Sequence, residues 1–324
     1  MRFSWAGLVT GLCLTVIVNG TVCRSAQASG PVILPDVIYG HKAGMALTLD
    51  VVKPEKPNGA GLLFMVSGGW VSTWSPPTKL IRPQPDTPNL FESLVDRGFT
   101  LFIVRHGSSP QFKVPEAVAD VRRSVRFIRL HAEDYGIDPD RLGVFGMSAG
   151  GHLSLMLGTA SDAGNPQSAD PVDQVSDRVQ AVVAIFPPAK INEFFPLSQR
   201  FPALQFDENL ADSVSPLLHV SPDDPPTLLI HGDKDELVPI SHSERMLQAF
   251  EKENVPTEIL VIKGAGHGFS GVDQLRAQEA LVNWFEKYLG SPGGVTPPAG
   301  KTQPEKTQPG QIQPETAQPA KQAN

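Results

Sequence analysis

Residues 146–150, Gly-Met-Ser-Ala-Gly, place a serine between two glycines where an apolar run changes its periodicity. A serine hydroxyl becomes a nucleophile when a neighbouring base removes its proton and a third group orients that base. Ser148 is therefore a candidate nucleophile that requires a histidine and an acid elsewhere in the chain. The pentapeptide Gly-x-Ser-x-Gly also occurs by chance, so its interpretation depends on the elements around it.

The candidate base is His267, which lies in the glycine-flanked sequence GAGHGF between a β-rich run and the final helical pattern. Four other histidines lie inside or beside predicted elements and are interpreted as structural: His152, His219, His231 and His242. Of these, His152 is close enough to Ser148 in the sequence to influence its surroundings.

Two aspartates that follow the apolar run PPTLLIHG, Asp233 and Asp235, are candidates for the acid. In a tight turn one aspartate commonly caps backbone amides while the other points outward. The spacing alone does not decide between them. With either one, the chemistry-bearing residues follow the order Ser, Asp, His.

The glycines of VSGGW, residues 66–70, come directly after the apolar run at 61–66. Glycine lets backbone amides approach a ligand closely, and such amides can stabilise a developing oxyanion. We expect the amides of Ala149 and Gly69 to be the donors, with Gly68 as the alternative to Gly69. A plain glycine turn is the other interpretation.

The elements that would position these residues alternate between short β-rich runs and helical patterns over residues 29–290. This alternation predicts an α/β fold with a mostly parallel central sheet flanked by helices, opened by an antiparallel pair. Ser148 then falls where a strand at 140–146 turns into a helix, and such a sharp turn would expose the hydroxyl at the edge of the sheet.

A long helical pattern begins near Pro115 and has a continuous apolar stripe: Val118, Val121, Val125, Ile128 and Ala132. Four arginines lie mostly off that stripe: Arg122, Arg123, Arg126 and Arg129. A solvated helix face is the preferred interpretation of these charges, and a basic binding site is the alternative.

The two ends of the chain differ in composition from its middle. Residues 1–28 begin with a basic residue, continue with a short apolar run and end in SAQA, which predicts a secretory signal peptide rather than a membrane anchor. The mature chain would then be secreted or periplasmic, with no stable membrane insertion. Both cysteines, Cys13 and Cys23, lie in the segment to be removed. Disulfides and thiolate metal sites are therefore not expected.

Residues 291–324 are almost free of apolar side chains and repeat Gln-Pro every five residues. Such a composition predicts a disordered tail, either a solubilising one or a spacer. The chain has 27 basic and 34 acidic residues and a net charge of −7 at pH 7. This acidic balance disfavours a nucleic-acid partner.

On these motifs the sequence resembles the α/β-hydrolase superfamily, in particular its esterase/lipase branch, which is similar to prolyl oligopeptidases and includes BD-FAE-type esterases. The resemblance extends from Asp36 to Leu289, and its clearest motifs are DRLGVFGMSAGGHLSLMLG, PPTLLIHGDKDELVP and GAGHGF. It implies Ser148 as nucleophile, Asp235 as acid and His267 as base. It also implies a serine hydrolase that cleaves a small-molecule or carbohydrate-linked carboxylic ester, with no cofactor and no metal. With the predicted signal peptide, we expect this hydrolase to be secreted.

The sequence departs from this family at two places. Relatives often have His-Gly-Gly-Gly-Trp where this chain has Val66-Ser-Gly-Gly-Trp, and Tyr-Arg where it has Arg105-His106. The first departure removes a histidine that usually supports the oxyanion loop. The second departure, Arg105-His106, leaves the identity of the substrate undetermined, because it changes residues beside the site.

Two segments could shape specificity. Residues 70–88 form a proline-rich loop in which Trp70 and Trp74 could provide an apolar wall for the substrate, and residues 186–206 contain five phenylalanines. Two alternatives to the esterase hypothesis remain at this point. One is a serine peptidase similar to prolyl oligopeptidase, and the other is a non-catalytic binding protein with a hydrolase fold.

Overall fold

The structure is a computed structural model of the chain, and it describes residues 30–81 and 89–290. The predicted signal peptide (1–28), the predicted tail (291–324) and residues 82–88 of the proline-rich loop lie outside the described residues. The predictions for those segments therefore stay predictions.

One eight-stranded sheet forms the centre of the described chain, in the order β1-β2-β4-β3-β5-β6-β7-β8. Strand β2 is antiparallel to both of its neighbours, and the adjacent pairs from β4 to β8 are parallel. The predicted mostly parallel sheet with an opening antiparallel pair is therefore confirmed. The strands are β1 (Val32–Lys42), β2 (Met45–Lys53), β3 (Gly61–Met65), β4 (Thr100–Val104), β5 (Leu142–Met147), β6 (Ala181–Ile185), β7 (Thr227–Gly232) and β8 (Thr257–Ile262).

Helices cover both faces of this sheet. Residues of α3, α5 and α6 share one apolar core with one face, and residues of α2 and α7 share a second core with the other face. Because both faces are covered, the inner strands are continuous apolar runs rather than alternating ones. The helices are α1 (Pro77–Ile81), α2 (Leu90–Asp96), α3 (Val114–Leu130), α4 (Ala132–Tyr135), α5 (Ala149–Thr159), α6 (Ser241–Lys252) and α7 (Gly271–Leu289). None of the helices in the described residues is long and apolar enough to cross a membrane.

The arginines of α3 do not form the solvated face that we expected from the sequence. Instead, they bind the loop at 162–178, where four aspartates and three backbone carbonyls accept from them. Arg122 lies 2.6 Å from Asp162 and also pairs with the fully buried Asp177. The error has a physical cause, since the paired aspartates lie 36 or more residues away from the arginines and the helix pattern contains no information about them.

The carboxyl ends of the parallel strands meet at one edge of the sheet. Ser148 directly follows β5, Asp235 lies three residues after β7, and His267 lies five residues after β8. In parallel α/β sheets ligands bind at this edge, because the loops that follow the strands converge there. The fold thus brings together three residues that are far apart in the sequence.

Candidate active site

Ser148 occupies a sharp turn between β5 and α5. Its backbone has φ 54° and ψ −120°, a conformation that residues with side chains rarely adopt, and its amide donates to the carbonyl of Ile185 at 2.9 Å. A Cβ atom at Gly146 would lie 2.4 Å from the carbonyl oxygen of Gly150, and a Cβ at Gly150 would lie 2.5 Å from that of Met65. The two flanking positions must therefore be glycine for this turn to form.

The side chains of Ser148, His267 and Asp235 form a continuous hydrogen-bonded chain. Nε2 of His267 lies 2.9 Å from Oγ of Ser148, and its Nδ1 lies 2.7 Å from Oδ2 of Asp235. A carboxylate only accepts, so Nδ1 carries the proton and Nε2 is left to accept the serine proton. This is the geometry that a serine nucleophile requires.

The two aspartates that the sequence left open have different partners. Oδ1 of Asp235 accepts from the amides of Leu237 and Val238, at 3.0 and 2.9 Å, which leaves Oδ2 facing His267. Oδ1 of Asp233 accepts from the amide of Gly264 at 2.6 Å and therefore stabilises a turn. The structure thus brings Asp235, and not Asp233, to the histidine, in agreement with the choice that the family resemblance implied.

Asp235 is held as an anion by its surroundings. Burial raises the pKa of its carboxyl, but the hydrogen bonds from His231, His267 and the Val238 amide lower it by more, so the pKa lies below its ordinary value. A negative charge next to His267 favours the imidazolium that forms when this ring takes the serine proton.

His231 is fully buried behind this acid. Its Nε2 lies 2.8 Å from the carbonyl of Val238 and 3.5 Å from Oδ2 of Asp235, and its Nδ1 lies 2.7 Å from Oγ of Ser243. The ring therefore fixes the loop that carries the acid. The sequence predicted a structural histidine here, but it did not indicate that the ring faces the acid.

Phe186 is a part of the site that we did not assign as a site residue from the sequence. Its ring lies 4.5 Å from the ring of His267 and 5.3 Å from that of Phe269, and its backbone has φ 38°. The contact limits the rotation of the imidazole. The available signal was the position of Phe186 at the end of the strand beside β5.

Two backbone amides face the space beside Ser148 without an acceptor in the described residues: those of Gly69 and Ala149. Both residues line the same cavity as the serine hydroxyl. The amide of Gly68, by contrast, donates to the carbonyl of Val71 at 3.0 Å in a short bridge. Gly69 is therefore the better candidate for the second donor, because the N–H of Gly68 is already bound.

A buried histidine just after β4 supports the oxyanion loop. His106 Nδ1 lies 2.8 Å from the carbonyl of Gly107, so Nδ1 donates, and Nε2 accepts from Oγ of Ser67 at 2.9 Å. Burial lowers the pKa of His106, which favours its neutral form. The carbonyl of Ser67 in turn accepts from the amide of Gly150 at 3.2 Å. The two departures from the family pattern, Ser67 and His106, thus contact each other.

The two tryptophans proposed as a substrate wall have different positions. Trp70 lines the cavity with 3% of its surface exposed, and its Nε1 donates to Nδ1 of His152 at 3.2 Å. Trp74 is 58% exposed, donates to Asp36 on β1 at 3.2 Å and is not among the cavity-lining residues. In this structure the indole of Trp74 is bound at β1 and not at the cavity, so Trp70 is the better candidate for the substrate wall.

A cavity of about 470 Å³ opens above Ser148, a size that suits a small molecule. Its walls are mostly apolar and include Phe186, Phe194 and Phe201 from the predicted specificity segment at 186–206. In the described residues, no group of three or more histidine, cysteine or acidic side chains is arranged to bind a metal.

Comparisons with known proteins agree with this fold. The solved structure of an acetyl ester-xyloside bifunctional hydrolase from Caldicellulosiruptor lactoaceticus matches 81% of this chain and 98% of its own, with a TM-score of 0.65 and 26% identity. The predicted α/β-hydrolase fold is confirmed. The family model described as BD-FAE matches residues 49–250, and the chain belongs to this family.

Similar curated proteins are described as esterases. The "Probable carboxylic ester hydrolase LipM" of Mycobacterium tuberculosis is 26% identical over 263 residues, and the match covers 76% of this chain and 58% of LipM. "Esterase LipQ" of the same organism is 26% identical, and the match covers 80% of this chain and 66% of LipQ. The chain therefore spans less than two thirds of the length of these relatives.

Proposed function

We propose that this protein is a serine hydrolase that cleaves carboxylic esters through an acyl-enzyme. The observation that carries the proposal is the chain of hydrogen bonds from Asp235 through His267 to Ser148, at 2.7 and 2.9 Å. It is supported by relatives that are described as esterases.

In the acylation step, Oγ of Ser148 attacks the carbonyl carbon of the ester while its proton moves to Nε2 of His267. The carbonyl oxygen becomes an oxyanion that the amides of Gly69 and Ala149 stabilise. When the carbon–oxygen bond to the alcohol breaks, the imidazolium gives its proton to the departing alkoxide. The acyl group remains bound to Oγ of Ser148 as an ester.

In the deacylation step, a water molecule attacks the acyl-enzyme and gives its proton to His267. The tetrahedral intermediate then collapses, and the proton returns to Oγ of Ser148 as the carboxylic acid leaves. Asp235 stays ionised throughout, which fits its lowered pKa, and it stabilises the imidazolium in both steps.

We also propose that the mature protein acts outside the cytoplasm. This rests on the sequence of residues 1–28 alone, with its basic start, apolar run and small-residue end. N-terminal sequencing of the protein recovered from the cell envelope or the medium tests it. A mature chain that starts near Ser29 supports export, and an intact Met1 in the cytoplasm contradicts it.

The ester proposal is tested by kcat/KM on a short acyl p-nitrophenyl ester and on an aminoacyl or Xaa-Pro p-nitroanilide. We expect the ester to be preferred by orders of magnitude, since an amide has a poorer leaving group. Ser148→Ala should abolish hydrolysis of both. If the anilide is cleaved as fast as the ester, the protein is a peptidase and the proposal is wrong.

A further inference from the structure

We infer that the ester substrate carries a carboxylate and that Arg200 binds it at the mouth of the catalytic cavity. The inference rests on the proposed ester hydrolysis at Ser148 and names the chemical class of the substrate.

Arg200 is placed beside the oxyanion loop by an aromatic contact. Its Cζ lies 5.2 Å from the ring centroid of Phe201, and both residues line the cavity above Ser148. The ring of Phe201 packs on Gly69 so closely that a Cβ atom on this glycine would lie 2.8 Å from it. Phe201 thus contacts both Arg200 and the oxyanion loop on the wall of one cavity.

The guanidinium of Arg200 has no ion pair within the described ranges 30–81 and 89–290. Arg245 on α6 differs in this respect, because it forms a bidentate pair with Glu193 at 2.7 and 2.8 Å. Arg200 thus keeps five N–H donors for a ligand, in a planar arrangement that matches a carboxylate.

Apart from Arg200, the side chains around the cavity are mainly apolar or belong to the catalytic group. Arg200 is exposed, so a carboxylate can reach its guanidinium, and such a charge-assisted hydrogen bond is stronger than a neutral one. A neutral ester would fill the apolar part and leave the guanidinium unused. An ester with a carboxylate can pack on the apolar walls and also bind the guanidinium of Arg200.

The carboxylate could belong to the acyl group or to the alcohol, and two pairs of esters distinguish these sources. The acyl pair is p-nitrophenyl hemiadipate and p-nitrophenyl hexanoate. The alcohol pair is 4-acetoxybenzoate and its methyl ester. The readout is the ratio of kcat/KM for the charged ester to that for the neutral one, measured for wild type and variants so that intrinsic reactivity cancels.

In one of the two pairs, we expect Arg200→Gln to lower this ratio about tenfold, the effect of one charge-assisted bidentate contact. Arg200→Lys should lower it less, because the charge remains and the planar fork is lost. Arg276→Gln removes an exposed arginine on α7, 3.7 Å from Asp273, and should leave both ratios unchanged.

Equal ratios for wild type and Arg200→Gln in both pairs would overturn the inference and leave the ester proposal intact. If the wild type hydrolyses none of the four esters, the proposed function itself is wrong and the inference falls with it.

Discussion

The indole Nε1 of Trp70 donates a hydrogen bond to Nδ1 of His152, and this contact joins the oxyanion loop to the helix that follows Ser148. The other ring nitrogen of His152 donates to the carbonyl of Val214 at 2.7 Å. The imidazole is fully buried, and a proton on Nδ1 would remove the acceptor of the indole. The loop and the helix are thus joined by a histidine that must stay neutral.

A pH dependence of stability follows from this contact. Burial lowers the pKa of His152 from 6.5 to about 4, so the unfolded chain binds more protons than the folded one between these pH values. The free energy of unfolding should therefore fall as the pH falls from about 6.5 to about 4, by about 3 kcal/mol from this residue. Urea unfolding at a series of pH values measures this change in the free energy of unfolding.

His152→Gln should weaken this dependence, because the glutamine does not titrate. His41→Gln is the matched control, since His41 lies exposed on β1 and should leave the dependence unchanged. Identical pH dependences for wild type and His152→Gln would contradict the prediction.

The oxyanion assignment is tested at two adjacent glycines. Gly69→Ala places a Cβ against Phe201 at a backbone φ of +58°, so we expect the amide to move and kcat to fall by at least about tenfold. Gly68→Ala meets no atom within 4 Å and changes an amide that is bound to Val71, so its effect should be much smaller. A larger loss of kcat in Gly68→Ala would return the assignment to Gly68.

The acid assignment is tested at two aspartates of the same turn. Asp235→Asn should lower kcat by about three to four orders of magnitude with the fold intact, since the imidazole loses the acceptor that orients it. Asp233→Asn weakens the acceptor of the Gly264 amide and removes the charge that faces Lys263 at 3.5 Å, so it should mainly lower Tm. An inactive Asp233 variant beside an active Asp235 variant would reverse the assignment.

The contact between Ser67 and His106 predicts a smaller effect on turnover. Ser67→Ala leaves Nε2 of a buried imidazole without a donor, and we expect kcat to fall about tenfold as the oxyanion loop loosens. Ser72→Ala is the control on the same loop, because the buried hydroxyl of Ser72 has no hydrogen-bond partner in the described chain. Equal kcat values for the two variants would show that the contact does not support catalysis.

The sequence contained enough information for the fold because the strands are local apolar runs. The run at 225–232 and the stripe of α3 can each be recognised without knowing what they pack against. The order of Ser148, an aspartate at 233 or 235, and His267 could be recognised for the same reason, since each follows a predicted strand. The choice of Asp235 came from the family resemblance. The structure adds their distances.

What could not be predicted depends on partners that are distant in the sequence. Trp74 is a large apolar residue in the predicted specificity loop, so the sequence favoured a role in the substrate wall. Its hydrogen bond to Asp36 on β1 is visible only in the structure. Gly68 and Gly69 are adjacent residues of the same type, so the sequence does not show which amide is free. They differ in the structure because the amide of Gly68 is bound to the carbonyl of Val71. The partner of His106 is 39 residues away, which no local pattern indicates.

The most direct test of the account is covalent labelling of the folded protein with a fluorophosphonate, followed by peptide mapping by mass spectrometry. The central claim is that His267 activates Ser148 as the nucleophile. We expect one equivalent of label on Ser148 in the wild type, none in Ser148→Ala and strongly slowed labelling in His267→Ala. A folded wild-type protein that takes no label, or takes it on another serine, would contradict the account.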